Sequence, residues 1–471
     1  MVDPHVQDLV GLDRAVARAA RAHDRWRAAI ARGDADAADD DPFEDAREAS
    51  GKSTWIALGE LSVSAADEPL RAALRRWVLA LTYARVGRVD ELTWARETTD
   101  PRGRYEGLRL RPAASASPAS PAQPGTARGG HVSWRESWRG AASAPSPGET
   151  GLWLEAAASA SPPLSPVRQN ITARRIEVAR RMGLSHPWEQ RVPVAAGPVR
   201  ASAARFLERT GDLSRAVWRE SLGDEPGAAA IVHAAAAREA GDGWPARLTP
   251  RWLEETFHLG LRGLNPDLPP LPETVGAASF ARAMTLFGHA FRVASVPSSM
   301  RFSLAREPWF VGAHRVGSVF GALSFDPHFH ARVLGLGARR AGAQARVLAR
   351  TALFEARLSA ARLRLADSED ARDAFEEVTM GLFGSPIDAR FRGAWPAARD
   401  DEPARWLGLL GAPALQRGLR ETYDADWFRN PRAWTHLRSL GEFPAYETIE
   451  GEGSLAADGD ALVRAFEEAL G

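Results

Sequence analysis

Apolar residues in this chain recur at three- and four-residue steps and almost never alternate. Leu12, Val16, Ala19, His23, Trp26 and Ile30 mark one face of a helix that stops near Gly33, and Leu70, Leu74, Trp77, Val78 and Leu81 mark another that ends near Gly87. The same spacing returns at Ile171, Ile176, Val178 and Met182, then at Phe206, Leu207, Leu213 and Val217. It continues at Leu253, Phe257 and Leu261 before Gly263, and at Val347, Thr351, Phe354, Leu358 and Leu365. A 3.6-residue period places such residues on one side of a helix, where they must bury against other helices. The pattern predicts an all-α chain. Only 191–195 and 269–275 read as short extended pieces.

A chain of 471 residues with 45% hydrophobic composition can bury a large core. Its formal net charge is zero, which argues against a nucleic-acid partner, since that calls for a basic excess. No cysteine is present, so disulfides, thiolate metal sites and thiol nucleophiles are excluded. No basic stretch followed by an apolar run opens the sequence, and no apolar run is long enough to span a bilayer. The expected location is the cytoplasm, with no membrane partner. Pro/Ser/Ala-rich tracts at 112–126, 141–148 and 157–166 predict mobile surface segments, with Trp134, Trp138 and Trp153 anchoring short helices between them. Three regions follow: helical 1–110, an interrupted helical stretch 111–167, and a helical domain 168–471.

The segment with most chemical content runs from Phe280 to Leu323. It holds Ala283-Met284-Thr285-Leu286-Phe287-Gly288-His289-Ala290-Phe291, then Glu307-Pro308-Trp309-Phe310, then His314. It resembles the thimet oligopeptidase and oligoendopeptidase F group of zinc metallopeptidases. In that group a helix of H-E-F-G-H-A-L type carries two zinc ligands and a general base, and a later helix supplies a Glu as third ligand. Two His at i and i+4 share a helical face and grip one Zn²⁺, and the Glu beside the first takes a proton from zinc-bound water. Here Phe287-Gly288-His289-Ala290-Phe291 matches the second half of the motif. Thr285 stands at the first His position and Leu286 at that of the catalytic Glu. His314 stands 25 residues beyond His289, at the place of the third ligand.

The likeness continues in order through Asp326-Pro327, Arg332-Val333-Leu334, the stretch Arg350 to Leu365 and the tract from Tyr423 to Arg432. It covers 170–471 and implies a metallopeptidase-like helical domain at 168–471. The group places a small sheet with an active-site edge strand before the zinc helix. Here only Pro269 to Ser279 separates Leu268 from that helix, so the sheet is expected to be reduced or absent, and with it the strand that pairs with an extended peptide.

The blander readings of these residues also have force. A single His on an apolar helix face is usually a core histidine with one satisfied nitrogen, and that reading applies to His289 and more strongly to His314. His328 and His330, at i and i+2, do not share a helical face and read as surface residues. Trp309, Phe310 and Glu307 are candidates to line a cleft, or anchors at a helix start. The run from Ala46 to Ser53 fits a relaxed phosphate-loop pattern around Lys52, the only lysine in the chain. The acidic stretch before it is unlike a core strand and would repel a phosphate, so coincidence is the expectation.

Leucine cannot transfer a proton, and the resemblance therefore implies a non-catalytic metallopeptidase homologue that binds a peptide or protein partner, or serves as a structural scaffold, with no cofactor. The alternative is a metal-dependent hydrolase with a rearranged site, in which His289, His314 and a nearby acid such as Glu307 hold zinc.

Overall fold

The computed structural model of the protein describes residues 8–34, 40–105, 130–192, 194–366, 371–441 and 451–471. Helices dominate it. Among the described residues the only sheet is one antiparallel pair, Gly103–Arg104 (β1) with Val132 and His131 of β2 (His131–Val132).

The first two apolar stripes form helices Leu9–Arg32 (α1) and Glu68–Thr99 (α2). Asp8 caps the first by accepting the Gly11 N–H, and Gly33, at φ 83°, ends it in the left-handed conformation that glycine tolerates. The second stripe and the first part of the first share one core with Val178, Ala179 and Met182, from the end of helix Leu164–Arg181 (α3) and the residue after it, while Trp26 and Ile30 pack with Ala95 of α2.

Helix Ala338–Leu365 (α6) runs through the C-terminal part. It packs against Ala196–Arg209, Ala371–Phe383, Gly451–Leu470 and helix Glu402–Tyr423 (α7). Between these stand helices Ala277–Ala294 (α4) and Val311–Ala322 (α5), whose inner faces join a core of fully buried aromatics: Phe257, Phe287, Phe291, Phe320, Trp427 and Trp434.

Three sequence expectations need correction. The tracts 141–148 and 157–166 are largely helical: Trp134–Ser143 includes the start of the first, and Pro147–Ala160 and α3 take up most of the rest. Ala156, Ala157, Ala158 and Ala160 are almost wholly buried. Small residues there serve close packing. A Cβ on Gly140 would fall 2.3 Å from the Trp153 ring, and one on Gly103 would fall 2.7 Å from the Ala156 carbonyl. The tract 112–126 lies outside the described residues. Second, neither 191–195 nor 269–275 forms a strand where described; both run as turn or irregular chain, because no neighbouring extended segment offers a ladder. Third, the helix expected through Leu253, Phe257 and Leu261 breaks at Phe257 into Pro250–Thr256 and His258–Leu261.

Lys52 opens the short helix Lys52–Glu60 with its side chain exposed, and a 3₁₀ turn, Glu44–Ala49, precedes it instead of a strand. The Gly51 N–H donates to Thr82, so this turn is bound to α2 and not open to a phosphate.

Candidate functional site

Helices α4 and α5 meet almost backbone to backbone. A Cβ on Gly288 would lie 2.6 Å from the Phe320 ring, and one on Gly317 only 2.7 Å from the Thr285 carbonyl oxygen. Helix α7 closes on α5 in the same way, since a Cβ on Gly408 would lie 2.6 Å from that of His314. Glycine is required at these crossings because no side chain fits between the helices. This contact brings His289 on α4 to His314 on α5, with ring centroids 5.0 Å apart and planes tilted by 57°.

Both imidazoles are held neutral. Burial pushes His289 down to about 4, with Asp401 opposing and Arg405 and Arg306 assisting. Burial also drives His314 well below the usual imidazole range, helped by His289, Arg405 and Arg399. Desolvation favours the uncharged form of a base, as these shifts illustrate. The His314 Nε2 lies 3.5 Å from the Asp401 carboxylate, a residue that the sequence pattern did not single out.

The other residues singled out by the resemblance do not complete a metal site among the described residues. The Thr285 hydroxyl donates to the Ala281 carbonyl one turn back, at 3.0 Å, and lies against Gly321 of α5. Leu286 offers no donor atom. Glu307 is buried, and its Oε2 accepts the Val311 N–H at 2.9 Å at the first turn of α5. Among the described residues no three His, Asp or Glu side chains are grouped so as to hold a metal ion. A catalytic zinc needs three protein ligands and an open position. The donor set of two imidazoles, a threonine bonded to its own helix and a leucine does not fit it.

Phe310 sits beside this pair, and Trp309 precedes it in the chain. Trp309 is buried, and the Arg191 guanidinium lies 3.7 Å from its ring centroid. Phe310 adopts φ 52°, a conformation unusual for a bulky side chain, and turns its ring edge-on to His289 at 5.5 Å. His330, expected at the surface, is fully buried. Its Nε2 lies 2.6 Å from the Ser324 carbonyl and its ring packs edge-on to Trp244, because the short helix Pro327–Arg332, capped by Asp326, carries Phe329 and His330 into the core. His328 is half-buried.

No helix among the described residues is long and apolar enough to cross a membrane. No family model and no curated protein matches the sequence. Solved structures do match the fold. A PZ peptidase A with an inhibitor aligns over 87% of this chain and 83% of its own, at TM-score 0.56 and 11% identity. A structure assigned as an oligoendopeptidase F from Bacillus anthracis strain Ames aligns over 88% and 81%, at 0.55 and 10%. Another oligoendopeptidase F structure aligns over 98% and 84%, at 0.54 and 12%. At such low identity the likeness speaks of architecture alone: the chain is built on the predominantly helical framework of the oligoendopeptidase F and PZ peptidase structures.

Proposed function

We propose that this protein is a non-catalytic relative of the metallopeptidases whose fold it shares, and that it uses that framework to bind a peptide or protein segment. One observation carries the reading. The Thr285 hydroxyl, which the resemblance matches to the first zinc ligand, is engaged by the Ala281 carbonyl, and the residue matched to the base is Leu286. Without a carboxylate there, no group at that position can take a proton from water. Incubation of the purified chain with zinc and a mixture of quenched fluorescent peptides tests this. The expected rate is no higher than that of His289→Ala. Zinc-dependent cleavage abolished by His289→Ala would end the reading.

A second reading draws on the His289–His314 separation of 5.0 Å and the proximity of Asp401 to His314. Two neutral imidazoles and one carboxylate are metal-ligand types. This reading predicts stoichiometric metal and leaves the proton-accepting group to be found elsewhere.

A further inference from the structure

A cavity of about 130 Å³ opens between α3 and the segment that leads into α7. Five guanidinium groups line it: Arg168 and Arg175 from α3, Arg191 from the turn beyond, and Arg392 and Arg399 from the segment before α7. Asp400 is the one carboxylate in the lining. It is already engaged, at 2.6 Å from Arg175 and 4.0 Å from Arg27. Among the described residues, no carboxylate lies within ion-pair distance of Arg168, Arg191, Arg392 or Arg399. The other acids near this side are also committed: Glu91 to Arg27 at 3.5 Å, and Glu402 to Ser359 at 2.5 Å and Arg362 at 3.8 Å.

Uncompensated like charges in a partly desolvated space are costly, and a fold retains them where something offsets them. The guanidiniums are also held in place in advance. Arg191 stacks on Trp309 and donates to the Asp400 backbone carbonyl at 3.2 Å. Arg168 lies over Trp94, 5.0 Å from its ring centroid, and donates to the Ala398 carbonyl at 2.6 Å. These bonds leave donors over: the Nε of Arg168, of Arg175 and of Arg392 are each buried without an acceptor. Burial, and then Arg175, pushes Arg191 down to about 9, with Asp400 opposing but not offsetting them. Planar guanidiniums fixed by stacking, with spare N–H donors, suit two-point recognition of phosphate or carboxylate.

We propose that this cavity binds a compact soluble polyanion, a small molecule carrying two or more phosphate or carboxylate groups. Its volume suits such a molecule and not a folded segment of another protein. The inference does not depend on whether the protein cleaves peptides.

Titration calorimetry with inorganic pyrophosphate and with citrate, at ionic strength fixed by sodium chloride, tests it. At least one of the two binds saturably at one per chain, and the preferred one tells phosphate from carboxylate recognition. Arg168→Gln and Arg392→Gln each weaken binding by about tenfold or more, the scale of a lost charge-assisted hydrogen bond. Arg251→Gln, at an exposed residue paired with Glu255, leaves it unchanged. Circular dichroism verifies folding. Arg392, half-buried and without a carboxylate partner, gives the decisive variant if Arg168→Gln fails to fold. No heat beyond that of matched chloride for either anion, or equal affinity in all variants, would overturn the proposal. Neither result bears on peptide cleavage or zinc content, so the proposed function is tested separately.

Discussion

The imidazoles of His289 and His314 face one another across the α4–α5 contact, centroids 5.0 Å apart, and burial is the main reason that both are held uncharged. In the unfolded chain each would titrate near its ordinary value of 6.5. A base whose folded value is depressed stabilises the fold fully above its unfolded value, and that contribution is lost as pH falls toward the folded one. Stability is therefore expected to decline between pH 6.5 and about 4, with His289 contributing at most about 3 kcal/mol. Burial also lowers His23 to about 4, and it adds to the decline. Burial raises Glu91 to about 7, so it opposes the decline by losing its contribution as pH rises. Urea midpoints of wild type and His289→Leu across this range isolate the His289 part: the variant should show the shallower slope, and identical slopes would contradict the assignment.

The glycine crossing should tolerate no side chain. In Gly317→Ala the new Cβ would lie 2.7 Å from the Thr285 carbonyl oxygen, which is backbone and cannot swing aside. Overpacking of this kind costs about 1–3 kcal/mol. The melting temperature should fall by several degrees. Gly342→Ala, at a helical glycine with open space around its Cβ position, should not lower it. Equal melting temperatures for the two variants would refute the close packing.

Asp400 is expected to hold its group of arginines together. Burial pushes its carboxyl up, but Arg175, Arg27 and Arg191 jointly draw it well below the usual carboxylate range. Replacing one partner of a buried pair leaves the other charge uncompensated and costs about 3 kcal/mol. Asp400→Asn should therefore destabilise the protein by about that much at pH 7, measured by chemical denaturation. The difference should shrink in acid as the wild-type carboxylate becomes protonated. A neutral substitution would mean that solvent already screens the cluster.

Lys52, for all its resemblance to a phosphate-loop lysine, should be dispensable. Its exposed side chain and the 3₁₀ turn before it predict a Lys52→Ala effect within about 0.5 kcal/mol and no ATP binding by calorimetry. Stoichiometric ATP binding lost in Lys52→Ala would reverse that view.

Most helices were legible because their stripes are local. Leu12 to Ile30 and Leu70 to Leu81 each announce a buried face within one segment, and Gly33 marks the end of the first. The alanine-rich stretch from 156 to 160 was not legible as core, because composition alone cannot tell a solvated small-residue tract from one pressed against another helix. The placement of His289 beside His314 followed from family spacing, not from any local pattern. The aspartate that meets His314 had no such signal. Only the tertiary fold reveals that Asp400 meets Arg175 while Asp401 meets His314. The burial of His330 was likewise hidden, since its contact with the Ser324 carbonyl depends on how the helix Pro327–Arg332 packs.

The account rests most on the claim that the motif helix no longer holds a catalytic metal. The most direct test is the zinc content of wild type and His289→Ala, each purified from zinc-supplemented medium and measured by inductively coupled plasma mass spectrometry. The account predicts the same content in both, far below one ion per chain. One zinc per wild-type chain, lost in His289→Ala, would contradict it and restore the rearranged metal site as the leading explanation.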